Sequence, residues 1–116
     1  MALRKFVEKL TKPVDEADRE QLVTWCAAHD VLPISELELR HPVRVAGEVR
    51  SVRIVPRAGA DALEAYVSDG RATVTAVFLG RRKIPGMSPG RRLVLEGVVA
   101  KDGNERVIYN PIYTLV

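Results

Sequence analysis

Cysteine is almost missing from this 116-residue chain: Cys26 stands alone, which excludes an internal disulfide and a multi-cysteine zinc site. Histidine is nearly as rare, with only His29 and His41. Aromatic residues are few (three Tyr, two Phe and one Trp), too few for a groove that stacks a long run of bases. No apolar stretch approaches the roughly 20 residues of a membrane helix. The opening Met1-Ala2-Leu3-Arg4-Lys5-Phe6 carries charge where a secretory signal would have its apolar core, so a cytoplasmic domain without membrane contact is expected. Also lacking are a glycine-rich phosphate loop, a His-Glu-x-x-His pair and a nucleophile elbow. Gly86-Met87-Ser88-Pro89-Gly90 has the spelling of the elbow, but it lies among prolines, outside a strand-to-helix frame, and reads as a turn. Cys26 falls on the apolar side of a helical pattern and reads as a small core residue rather than a nucleophile. The expectation is a protein that is not an enzyme and that holds neither metal nor cofactor.

What is present is an ordinary globular composition, 47% apolar and 28% charged, at the length of one domain. Charge is unevenly distributed. Residues 1–40 carry six basic and eight acidic side chains, and residues 41–116 carry twelve and seven, so a net +5 sits on the second part. Ten of those twelve cations are arginine, whose planar fork of donors suits phosphate and stacks on bases. A polyanion partner fits this balance, and so does plain solubility.

Two periodicities divide the chain. Leu3, Phe6, Val7 and Leu10 fall on one helical face, and Pro13 interrupts it. Asp15 then reads as the N-cap of a second helix with Leu22, Val23, Trp25, Cys26 and Ala27 on its buried side, ending near His29-Asp30. From Pro42 the period becomes two. Val43, Val45, Gly47 and Val49 alternate with Arg44, Ala46, Glu48 and Arg50, and past Arg50 the phase flips to Val52 and Ile54, which implies a bulge or coil near Gly47–Ser51. Further strands read over 63–67, 73–79, 93–99 and 106–115, with turns at Pro56-Arg57-Ala58-Gly59, Asp69-Gly70 and Asp102-Gly103-Asn104. Five strands, the first long and bent, suit a mainly β, five-stranded Greek-key OB-fold barrel; a small SH3-like barrel is the alternative. The expected division is a helical N-terminal extension over 1–40, packed on the barrel or on a second copy, and an OB-fold domain over 41–116.

Particular motifs resemble known families. Val45-x-Gly47-x-Val49, Asp69-Gly70, Val74-Thr75-Ala76-Val77-Phe78-Leu79 and Pro89-Gly90-Arg91-Arg92-Leu93-x-x-x-Gly97-x-Val99 are similar to the anticodon-binding type of OB-fold. The closing Tyr109-Asn110-Pro111-Ile112-Tyr113 resembles the end of the OB wedge domain of branch-migrating DNA helicases. With Leu79-Gly80-Arg81-Arg82-Lys83-Ile84-Pro85-Gly86 added, the chain resembles small stand-alone actinobacterial OB-fold proteins. These resemblances imply the fold and, as a class of function, nucleic-acid binding.

An OB-fold takes its ligand across strands two and three, between the loops joining strands one to two and four to five. That rule nominates Arg53, Arg57, Tyr66, Thr75, Arg81, Arg82, Lys83, Lys101 and Arg106 as nucleic-acid-binding residues. Tyr66 alternates with Leu63, Ala65 and Val67, so it points outward, as a platform for one base or as a surface ring covering strand packing. Phe78 shares phase with Val74 and Ala76 and reads as core. Tyr109 and Tyr113 share a phase of the last strand with Val107 and Leu115 and read as packing residues. Trp25 reads as the residue that pins the helix to the barrel. The expected partner is single-stranded or structured DNA or RNA, held with low sequence preference through its phosphates. A protein-docking adaptor, or self-association through the N-terminal helices, is the reading from a different class; a neutral sugar explains the arginines poorly.

Overall fold

The computed structural model describes residues 16–116. The expected helix over Leu3–Leu10 and the Asp15 cap lie outside the described residues. Residues 16–27 form helix α1, a 3-10 turn spans Ile34–Glu36, and six strands follow: β1 (Pro42–Arg57), β2 (Ala60–Ser68), β3 (Thr73–Leu79), β4 (Arg92–Asp102), β5 (Glu105–Tyr109) and β6 (Ile112–Leu115). Hydrogen bonding runs β1-β2-β3-β5-β4, and a second pairing of β1 with β4 closes these five into a ring. Only β3 with β5 is parallel. No helix among the described residues is long and apolar enough to cross a membrane.

The long first strand makes closure feasible. Its first half pairs with β4, from Pro42↔Val98 to Glu48↔Arg92, and its second half with β2, from Glu48↔Ser68 to Arg57↔Ala60. The register shifts between Val49 and Ser51, so the phase flip in the sequence is a bulge at Arg50. Gly47 sits where the two halves diverge. A Cβ there would lie 2.6 Å from Val67 Cγ1 and 2.7 Å from the Ser68 carbonyl oxygen, so only glycine lets β2 come this close. Inside the ring Val45, Val49, Leu63, Val67, Val74, Phe78, Leu93, Leu95 and Val99 form one core, as their alternation predicts.

The ring is filled from outside its strands too. Ile34 of the 3-10 turn is fully buried in that core, and Ile84 and Met87 from the irregular 80–91 link are buried in it too. Asp69 ties the first of these down: its carboxylate accepts from the backbone N–H of Ile34 at 2.9 Å, Arg71 at 3.0 Å and Ala72 at 2.9 Å. The β2–β3 connection is therefore a four-residue loop capped by Asp69. Helix α1 packs on the outside of the β1–β4 pairing, where Leu22 and Cys26 bury against Ala46 and Val94 and Trp25 is partly buried beside them. Arg92 lies over the Trp25 ring at 5.1 Å. Each buried side chain of Leu22's size contributes about 2 kcal/mol to holding the helix there.

One expected strand is two. The run 106–115 breaks at Asn110-Pro111, where Asn110 has φ +49° and proline has no N–H to offer a ladder. β6 then pairs with Leu93–Glu96 of β4, on the edge opposite the one that pairs with β1. The break changes the phase of the tyrosines. Tyr113 turns into the core against Phe78, with rings 5.5 Å apart, while Tyr109 stays on the outside of β5, 41% exposed.

Candidate functional site

Opposite residues on paired strands share a face, so the registers define the outer surface of the ring. One row runs Ser51, Tyr66, Thr75, Val107; the next runs Arg53, Glu64, Val77, Tyr109. Beneath these polar groups Ala62, Val77 and Val107 make a small buried cluster of their own. Above it lies a cleft of about 250 Å³ lined by Ser51, Arg53, Glu64, Tyr66, Thr75 and Glu105. Tyr66 is 39% exposed here, while Thr75 is buried.

Glu64 organises the charge. It is only 2% exposed, and each of its oxygens accepts from a different arginine: Oε1 from Arg53 at 3.2 Å and Oε2 from Arg57 Nε at 2.6 Å. Arg57 reaches further, donating to Asp102 at 3.2 Å and to the Tyr109 hydroxyl at 3.3 Å, with its guanidinium 5.7 Å from the Tyr109 ring centre. The hydrogen bond that Arg57 donates to Glu64 holds its guanidinium protonated above its already high range. One side chain of β1 thus joins the end of the first hairpin to the end of β4 across the outer face.

The nominated residues are only partly brought together. Arg53, Tyr66 and Thr75 line the cleft. Arg57 lies on the same side but is engaged by two carboxylates, so its charge is largely spent within the protein. Arg81, Arg82 and Lys83 are exposed just beyond β3, with Arg82 3.5 Å from Asp61. Lys101 and Arg106 stand opposite each other in the phase of Val99 and Ile108, which is the core phase and not that of Tyr66. Alternation places these two away from the cleft. Sequence reasoning missed Glu64, Glu105 and Tyr109. Glu64 and Arg53 become recognisable as a pair only once the register past the bulge is known.

Elsewhere the chemistry is quiet. Cys26 is buried, its thiol directed at the Ala46 carbonyl oxygen at 3.3 Å, and burial first and Asp69 second push it from its ordinary 9.0 to about 11. Such a thiol is a poor nucleophile. Among the described residues no three His, Cys, Asp or Glu side chains converge as a metal site would require.

No protein-family model and no curated protein matches the chain. Its fold does match solved structures. The solution structure of the OB domain of Ta0387 from Thermoplasma acidophilum superposes with a TM-score of 0.56 at 14% identity, covering 73% of this chain and 85% of that one. At this identity the likeness concerns fold: the closed ring of five strands is an OB-type domain.

Proposed function

We propose that this chain is a non-catalytic nucleic-acid-binding module of the Greek-key barrel type, taking single-stranded or unpaired DNA or RNA over the β1–β2–β3–β5 face. The observation that carries the reading is Tyr66, an exposed ring on the wall of an open cleft with Arg53 beside it. A base stacked on such a ring contributes roughly 1–3 kcal/mol, whatever its identity, and a duplex keeps its bases from it. The Arg81-Arg82-Lys83 run extends positive charge past the end of β3, where the backbone of a strand leaving the cleft would find it. Binding of this kind is phosphate-dominated and weakens with salt.

The test is fluorescence anisotropy with labelled twelve-nucleotide dT and its duplex across a salt series. Single strand binds more tightly than duplex, and Tyr66→Ala lowers its affinity about 5- to 150-fold, the stacking range above, without changing the salt slope. Absence of binding at low salt overturns the reading. It would favour the protein-docking alternative, which has its own support in Val98, Tyr109 and Leu79, all more than 40% exposed in the outer phase of the ring.

A further inference from the structure

A cleft meant only for phosphate would carry cations, and this one carries two carboxylates, Glu64 and Glu105, facing one arginine, two hydroxyls and a phenol. A free carboxylate on such a face repels a nucleic-acid backbone, and that cost is offset only where the carboxylate meets hydrogen-bond donors. Both oxygens of Glu64 are already taken by Arg53 and Arg57. Glu105 has no ion pair among the described residues and is exposed at the start of β5. At about 250 Å³ the cleft falls below the size of pockets for drug-sized ligands and suits a single base.

The donor and acceptor pattern then selects among bases. An ionised carboxylate only accepts. Thymine and uracil offer one N–H flanked by two carbonyl oxygens, which a carboxylate opposes. Adenine and cytosine place one amino group beside an acceptor nitrogen. Guanine alone presents adjacent N1–H and N2–H donors, one for each oxygen of Glu105, while its O6 and N7 suit the free donors of Arg53. Resting on the nucleic-acid reading above, we propose that the Tyr66 cleft is a guanine-selective subsite, with Glu105 accepting from the Watson–Crick edge of the stacked base. One position along an otherwise base-tolerant strand is thereby read.

The test compares d(TG)4, d(TI)4 and dT8, with r(UG)4 and free GMP as further arms, in lithium buffer to suppress guanine quadruplexes. Hypoxanthine, the base of inosine, differs from guanine only by lacking the N2 amino group. The proposal expects d(TG)4 to bind at least tenfold more tightly than dT8, with d(TI)4 losing most of that gain and r(UG)4 telling whether RNA is taken as well. Glu105→Gln should abolish the preference, and Glu38→Gln, on the linker and outside the cleft, should keep it. Equal affinity for d(TG)4, d(TI)4 and dT8 overturns the guanine subsite and leaves the single-strand reading standing. Binding of GMP without any strand supports the subsite and overturns the strand reading, while binding of none of the five overturns both. A preference that survives Glu105→Gln refutes the role given to this carboxylate.

Discussion

Replacing Glu64 by Gln should make the protein less stable and, at the same time, a tighter binder of polyanions. The substitution keeps the shape of the side chain and removes the charge that holds two arginines. Exposed ion pairs contribute about 0–1 kcal/mol, and removing one partner of a buried pair costs about 3–5 kcal/mol. Glu64 lies between these limits, because it is itself 2% exposed while the Arg57 and Arg53 side chains are 24% and 67% exposed. About 2 kcal/mol is the expected loss. For a domain of this size that lowers Tm by about 8 °C, measured by circular dichroism. In binding, Arg53 is released to a phosphate whereas Arg57 is still held by Asp102. One added contact steepens the slope of log affinity against log salt by about 0.7 for a single strand. An unchanged Tm together with an unchanged slope would show that Glu64 does not restrain these arginines, and the charge network across the face would be wrong.

Asp69→Ala leaves three backbone N–H groups without their acceptor and frees Ile34 from the core, so urea unfolding should show a loss of about 3 kcal/mol; Asp69→Asn, which keeps one oxygen, should cost about half as much. Because the folded protein keeps the Cys26 thiol protonated to about pH 11 while the unfolded chain releases that proton near 9.0, stability should fall as pH rises through this window. In Cys26→Ala the pH dependence of the urea midpoint between 9 and 11 should be shallower. Replacing Arg81, Arg82 and Lys83 together by alanine should flatten the salt slope by about 0.7 for each phosphate contact removed, and an unaltered slope would take this cluster out of the interface.

The core was legible because alternation is local: the phase of Val45, Val49, Val67, Val74 and Leu95 can be read two residues at a time, and the flip after Arg50 marks its own bulge. Tyr66 was legible for the same reason. What stayed hidden depends on pairing between distant residues. Arg53 meets Glu64 only through the post-bulge register, and Arg57 meets Asp102 only because the ring closes. Asp69 looked like a turn residue, and that it also anchors Ile34, 35 positions away, has no trace in any local window. Ile84 and Met87 lie in a stretch without periodicity, so nothing in their spacing marks them as core. Asn110-Pro111 did carry a signal, since proline cannot continue a central ladder; reading it as a strand break would have separated the fates of Tyr109 and Tyr113.

The central claim is that single-stranded nucleic acid lies on one particular face, and the most direct test is an amide NMR titration of the full chain with dT8 and d(TG)4. Binding on this face places the largest shifts on Ser51, Arg53, Glu64, Tyr66, Thr75 and Glu105, with smaller ones at Arg81 to Lys83. Shifts concentrated instead on Leu22, Trp25 and Val94, where the helix docks, or on Ile112 to Leu115 of β6, would contradict it.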